Sequence, residues 1–395
     1  MRSPLAMAAK TAIFPAMAAL QISAPQDSGN ITVLSTEDPS NIRLAITKDG
    51  AADFFQWFYF RVSGAKGRRC DFAIENAGAS SYLGGWKDYK ICCSYDLQTW
   101  FRLDTTYREG VLRFSHEAQL DSIYFAYFAP YPIERYRSFV AEVANDPLVD
   151  DGTLGATLDG EPLDYLRIGS DDPNAPEIWV IARQHPGETM GSWWMEGFLP
   201  RLLDPDDAVA TALRRAARFH VVPLVNIDGA RRGHLRTNAA GIDLNRQWAS
   251  PSMEKSPEVF LIRQKMDETG VDLFLDVHGD ETIPNNFIAG AEGIPNWTDG
   301  RQRELDTFIS SLKTVSPAFQ DEQGYPKDAP GSANLAIAAN GVAARYDCLS
   351  MTLEMPFKDA NVLPDPVMGW SPDRCADLGR ACLDAIWMTL PTLDR

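Results

Sequence analysis

The hydrophobic pattern of this chain changes its period near residue 150, and that change divides the fold into two architectures. Up to about residue 140, short runs alternate aromatic or β-branched residues with polar ones, the two-residue period of half-buried strands. Phe54–Val62 is closed by a turn at Ser63-Gly64-Ala65-Lys66-Gly67, Arg69–Glu75 follows, and Thr99–Leu103, Val111–Phe114 and Ser122–Phe128 continue the series. This spacing predicts an all-β sandwich over residues 22–140. The aromatics Phe54, Phe55, Trp57, Phe58, Tyr59 and Phe60 read as its core rather than as a ligand box, because aromatic side chains dominate cores by area. Tyr131–Asp150, Pro-rich at its start and acidic at its end, reads as a connector carrying one helix. Beyond it, apolar strand candidates at Ile178–Ala182, Phe219–Val225 and Leu273–Val277 alternate with amphipathic stretches such as the one around Arg214-Arg215. That alternation predicts an α/β domain over residues 141–395, a mixed central sheet flanked by helices.

Composition narrows the function. A chain of 395 residues exceeds what one core usually organises, and 45% hydrophobic with 23% charged residues is ordinary for a folded protein. The formal charge of −17 repels phosphates and anionic lipid, which excludes a general nucleic-acid binder or a membrane-surface protein. No apolar run approaches the ~20 residues that span a bilayer. Lys10 interrupts the apolar stretch a signal peptide needs, so residues 1–21 read as an extension, disordered or upstream of the natural start, with the fold beginning near Ile22. The cysteines Cys70, Cys92, Cys93, Cys348, Cys375 and Cys382 fit no disulfide framework or zinc knuckle, and free thiols point to the cytoplasm.

Three features of the second half carry chemistry, each at the end of a strand candidate, where α/β sheets place their sites. Ile178–Ala182 runs into Arg183-Gln184-His185-Pro186-Gly187-Glu188, so a tight turn holds an imidazole and a carboxylate three residues apart. Both are ligand types zinc accepts. Phe274-Leu275-Asp276-Val277-His278-Gly279 ends a second buried strand on a histidine, which there needs a strong partner: a metal, or a backbone carbonyl in a purely structural site. In Met351–Phe357 a single carboxylate, Glu354, sits inside an apolar run. Such a group is either a general base set by partial desolvation or the partner of a nearby cation such as Lys358.

Between the first two features stand Asn226-Ile227-Asp228-Gly229 and Arg236-Thr237-Asn238-Ala239-Ala240-Gly241-Ile242-Asp243-Leu244-Asn245-Arg246. The order His-x-x-Glu, N-x-D-G, R-x-N-x-x-G-x-D-L-N-R, D-x-H-G, T-L-E resembles the zinc metallocarboxypeptidases of the M14 family, and within it the cytosolic carboxypeptidase subfamily that includes tubulin deglutamylases. The resemblance covers the chain from about residue 22.

The resemblance implies one zinc held by His185, Glu188 and His278, with Glu354 as general base and later acid, and Arg236 polarising the scissile carbonyl. It implies that Asn245 and Arg246 hold the terminal carboxylate of a peptide or protein substrate, and that Tyr325 is the family's mobile tyrosine. Around Ala338–Ala343, where the family places its side-chain pocket, no basic residue stands. A preference for acidic C-terminal residues would then draw on Arg345 or on Arg231-Arg232. His220 and His234 read as structural. Two alternatives remain: a zinc amidohydrolase or deacylase of the same fold, which would tolerate Arg246→Ala, and a non-catalytic peptide-binding module. Ser192 lacks the G-x-S-x-G setting of a serine hydrolase.

Overall fold

The computed structural model describes residues 19–394, so the expected N-terminal extension lies, as far as residue 18, outside the described residues. Ten strands come first: β1 (Gln21–Ser23), β2 (Thr32–Ser35), β3 (Ile42–Ala45), β4 (Tyr59–Ser63), β5 (Arg69–Ile74), β6 (Ile91–Ser94), β7 (Phe101–Leu103), β8 (Thr105–Arg108), β9 (Val111–Glu117) and β10 (Ser122–Ala126). They form two sheets, β1-β4-β10-β6-β7 and β2-β3-β5-β9-β8. In β5 the buried residues are Cys70, Phe72 and Ile74, every second position, so one face is apolar and must be covered. Phe72 and Phe114 of one sheet meet Phe60 and Phe125 of the other with ring centroids 5.1–6.3 Å apart. These rings are the contact between the sheets.

The expected strand Phe54–Val62 begins only at Tyr59. Before it the backbone bonds to loops instead: Asp49 N donates to Phe54 O at 2.8 Å and Phe55 N to Ser81 Oγ at 3.0 Å. Gln56, fully buried, accepts from Tyr82 N through Oε1 and donates to Tyr127 Oη. A side chain that takes over backbone hydrogen bonding in this way removes the need for a ladder.

The connector helix α1 (Ile133–Ala144) leads into β11 (Val149–Ala156), β12 (Pro162–Gly169), β13 (Glu177–Ala182), α2 (Met190–Leu203), α3 (Ala208–Ala216), β14 (Arg218–Val222), α4 (Ile227–Arg232) and α5 (Pro257–Thr269). There follow β15 (Leu273–Asp280), β16 (Phe287–Gly290), α6 (Asp299–Val315), α7 (Ala338–Tyr346), β17 (Leu349–Pro356) and α8 (Pro372–Thr389). The sheet order is β11-β12-β14-β13-β15-β17-β16, with β14, β13, β15 and β17 parallel. Every residue of β13, β15 and β17 is buried, as a sheet covered on both faces requires. Ile178, Val180 and Ala182 pack with α2 and α8, whereas Trp179 and Ile181 pack with α5 and α7. β14 lies on one side of β13 and β15 on the other, so the chain reverses direction at the carboxyl end of β13 and opens a crevice there. Among the described residues, no helix is long and apolar enough to cross a membrane.

Candidate active site

The crevice collects the first two chemical features. His185, Glu188 and His278 offer ligand atoms within 4.8 Å of one another, and all three side chains are buried. His185 Nδ1 lies 2.7 Å from Glu188 Oε1, and His278 Nδ1 lies 2.7 Å from Glu188 Oε2. The opposite ring nitrogens are also held by carboxylates: His185 Nε2 by Asp243 Oδ1 at 3.0 Å, His278 Nε2 by Asp276 Oδ2 at 2.9 Å. Burial disfavours the His278 cation, but Asp276 and Glu188 outweigh it and push the ring well above its usual pKa. Burial likewise opposes charge on Glu188, and the two imidazoles overcome it to hold the carboxyl below the usual range. A cluster that draws a proton this strongly calls for positive charge. Two imidazole nitrogens and a carboxylate, each imidazole anchored from behind by an acid, are a donor set that suits zinc.

Local sequence explains the convergence. Arg183 leaves β13 in the left-handed region at φ 62°, unusual for a bulky residue. Its buried guanidinium donates to Pro186 O at 2.9 Å, Tyr131 O at 2.9 Å and Ser192 Oγ at 3.2 Å, which fixes the turn bearing His185. A Cβ at Gly187 would stand 2.9 Å from Leu235 O, so the turn passes too close to that loop for a side chain. Gln184 donates to Asp276 Oδ2 at 2.6 Å and accepts from Trp248 Nε1 at 2.8 Å.

Glu354 is the neighbour of His278 across the β15–β17 pairing. Its Oε2 is buried without a hydrogen-bond partner among the described residues, and Oε1 accepts from Tyr325 Oη at 3.2 Å. Burial, joined by Glu188, Asp280 and Asp276, raises this carboxyl well above its ordinary value against the pull of His278. Lys358 is not its partner: that ammonium donates to Lys87 O at 2.8 Å in the N-terminal region. Tyr325 also donates to Asp280 Oδ2 at 2.8 Å, and burial together with Glu354 and Asp280 pushes its hydroxyl far above the usual tyrosine range.

A cavity of 490 Å³ joins these groups to Arg236, Asn245 and Arg246. Arg236 Nε donates to Asp243 Oδ2 at 2.8 Å. Asn245 Oδ1 accepts from Ala338 N at 2.8 Å, which ties the Asn245-Arg246 pair to the start of α7, and Arg246 is exposed. Arg345, Arg231 and Arg232 do not line the cavity. They are paired with Asp267, Glu161 and Asp159. Lys327 does line it, with Nζ 2.9 Å from Glu292 Oε1. His220 is bonded to Glu177 at 2.6 Å and to Tyr165, away from the cavity.

Sequence reasoning missed Asp243, Asp276 and Gln184 as supports, although all three stand inside the quoted motifs. A carboxylate in the apolar run Leu273–Val277 was the available signal, because an Asp is seldom buried unpaired. It also missed Tyr82 and Glu281 in the cavity wall, and for these no sequence signal existed.

Residues 22–128 match the model of the cytosolic carboxypeptidase N-terminal domain, and residues 137–364 match that of zinc carboxypeptidase. An uncharacterized protein of Zymomonas mobilis is 50% identical over 92% of this chain and 95% of its own length. Cytosolic carboxypeptidase 3 of Bos taurus is 28% identical over 69% of this chain, and the match covers 31% of its own length, so this chain spans about a third of that relative. A solved metallo-carboxypeptidase from Burkholderia cenocepacia superposes with a TM-score of 0.92 at 42% identity, covering 95% of this chain and 100% of that one. The metallo-carboxypeptidase from Pseudomonas aeruginosa, solved in complex with (2-guanidinoethylmercapto)succinic acid, gives 0.93 at 44% over the same shares.

Proposed function

Because this chain belongs to the zinc carboxypeptidase family and is a metallocarboxypeptidase acting on C-terminal peptide bonds, we propose that its own residues divide that work in the following way. His185, Glu188 and His278 would hold one zinc per chain, which would supply Lewis-acid chemistry for a carbonyl and for water. Glu354 takes the proton from the attacking water and later delivers it to the leaving nitrogen. Its buried carboxyl suits that exchange, since a raised pKa makes the carboxylate the stronger base. Arg236 donates to the oxygen that gains negative charge. Asn245 and Arg246 hold the substrate's terminal carboxylate, a task that matches the bidentate fork of a guanidinium. Tyr325 remains a hydrogen-bond donor at Glu354. The observation that carries this reading is the Glu354 Oε2 atom, buried beside His278 without a hydrogen-bond partner among the described residues.

The substrate is a peptide or protein C-terminus, and deglutamylase-like removal of acidic residues is its finer form. Lys327 supports that form, because it lines the cavity together with Arg236 and Arg246. Glu292, 2.9 Å from Lys327 Nζ, competes for the same ammonium, so the preference is modest. The six buried free cysteines support a reducing compartment such as the cytoplasm.

The test is a mass-spectrometric screen of zinc-loaded protein on peptides varied at the last two residues, with Glu354→Gln as control. We expect stepwise C-terminal loss from the wild type alone, with acidic ends favoured by less than about tenfold, or about 1.4 kcal/mol, and that margin erased by Lys327→Ala. Equal loss from Glu354→Gln would remove Glu354 from the chemistry.

A further inference from the structure

Arg236 sits on a loop, residues 233–238, that the N-terminal sheets hold in place. Asp49, between β3 and β4, is 3% exposed and spends its carboxylate entirely on this loop. Oδ1 accepts from Leu235 N at 2.6 Å, and Oδ2 accepts from Arg236 N at 2.8 Å, Thr237 N at 2.9 Å and Thr237 Oγ1 at 3.1 Å. Gly50 N donates to His234 Nε2 at 2.9 Å, which leaves Nδ1 of that ring to donate to Thr237 O at 2.9 Å. Thus His234, a side chain with no place in the cavity, closes the loop on itself. Two aromatic residues from the same N-terminal region, Phe54 and Tyr82, face the guanidinium with ring centroids 5.6 and 5.7 Å from Arg236 Cζ. Gly241, at φ 75° in the following turn, passes so near Ala51 that a Cβ would stand 2.4 Å from its carbonyl oxygen.

The loop follows a six-residue helix and belongs to no helix or strand, so no regular ladder fixes its backbone and the position of its arginine depends on bonds from outside the loop. Three consecutive backbone N–H groups pointed at one carboxylate fix it, because charge-assisted bonds are the strong ones. The aromatic faces restrict the guanidinium in the same sense. A donor that stabilises developing charge is effective only when it is already in position.

We infer that the N-terminal sandwich is a working part of the active site, with Asp49 a positioning residue that fixes Arg236 for the transition state. The inference rests on the reading of Arg236 as the donor to the developing oxyanion. A purely architectural Asp49 would instead act on folding and affect every step alike.

The two are separated by a four-protein cycle: wild type, Asp49→Asn, Arg236→Ala and the double variant, each measured for kcat, KM and zinc content on a peptide the wild type cleaves. We expect Asp49→Asn to lower kcat by about 10²-fold, the scale of a misplaced group, with KM changed by less than about twofold and zinc content unchanged. In the Arg236→Ala background the same substitution is expected to cost less than about twofold, because coupled residues are non-additive. Equal losses in both backgrounds, or an unchanged kcat in Asp49→Asn, would overturn the proposal. An unchanged kcat in Arg236→Ala would instead overturn the reading of Arg236 on which it stands. Should Asp49→Asn fail to fold, Phe54→Leu keeps the carboxylate bonds. It is expected to lower kcat about fivefold with the same coupling to Arg236, and additivity there would overturn the proposal equally.

Discussion

Asp276 offers no atom to the ligand cluster, yet it sets how His278 presents one. Its Oδ2 holds His278 Nε2 at 2.9 Å and also accepts from Gln184 at 2.6 Å, so the imidazole is oriented with Nδ1 toward Glu188. Outer carboxylates of this kind typically contribute about 10- to 100-fold in metal affinity, and Asp276→Asn is expected to weaken zinc binding by that factor. Competition against a chromophoric chelator measures it, and an affinity within about twofold of wild type would show that Gln184 alone orients the ring. The residues at this scale divide by how far their meaning travels along the chain. The gathering of His185, Glu188, His278 and Glu354 in one crevice was foreshadowed, because each is a side-chain type able to ligate metal or exchange protons, and each stands within or just beyond an apolar run. Asp49 was not. It reaches Leu235 across 186 positions, and nothing in its own surroundings, Lys48-Asp49-Gly50, points to a partner that distant. Only the packing of one region on the other gives that carboxylate a role.

At the scale of elements, continuous apolar runs were the clearest signal, and Ile178–Ala182 and Leu273–Val277 are strands β13 and β15 nearly as read. The hairpin β11–β12 went unread because its outer strand, Val-Asp-Asp-Gly-Thr-Leu-Gly-Ala, is largely exposed and poor in strand formers. Helix α5 carries a different tension. Glu258 in its first turn is fully buried, its Oε1 has no partner among the described residues, and Oε2 receives only a 3.4 Å bond from Asn238. Burial, with Asp228 and Asp159 adding to it, raises this carboxyl to about 7 from 4.5. The folded state therefore keeps a proton that the unfolded chain releases, so stability is full below about pH 4.5 and declines as pH rises toward about 7. The gap corresponds to about 3 kcal/mol as an upper figure. Glu258→Gln is expected to be more stable than wild type at pH 8, with the difference gone near pH 4.5. Urea unfolding at the two pH values decides it, and equal stabilities at pH 8 would mean that the carboxyl finds water or a partner.

For the whole molecule, the question is whether the two regions unfold as one. Their apolar cores are continuous: Tyr127 stacks on Phe357 with ring centroids 4.6 Å apart, and one buried cluster runs from Ile42 to Ile386. Polar bonds cross at the same place. Arg102 donates through Nη2 to Phe357 O at 2.8 Å and Trp370 O at 3.1 Å, Lys358 to Lys87 O at 2.8 Å, and Thr189 to Ala129 O at 2.8 Å. Separating the sheets from the α/β region would expose these aromatics and leave the buried Arg102 without its acceptors, a cost characteristic of a core rather than of a hinge. A single cooperative thermal transition is therefore expected, with the aromatic near-ultraviolet signal and the helical far-ultraviolet signal superimposable. Zinc sharpens the test, because its three ligand candidates all lie beyond residue 180 and none in the N-terminal sheets. A ligand at a thousandfold excess over its Kd stabilises the state that binds it by about 4 kcal/mol. Chelation should lower the transition temperature of the sandwich as much as that of the α/β region, although the sandwich touches no metal. Two separate calorimetric transitions, with only one of them lowered by chelation, would show two independently folding units, and would leave Asp49 only a loose hold on Arg236.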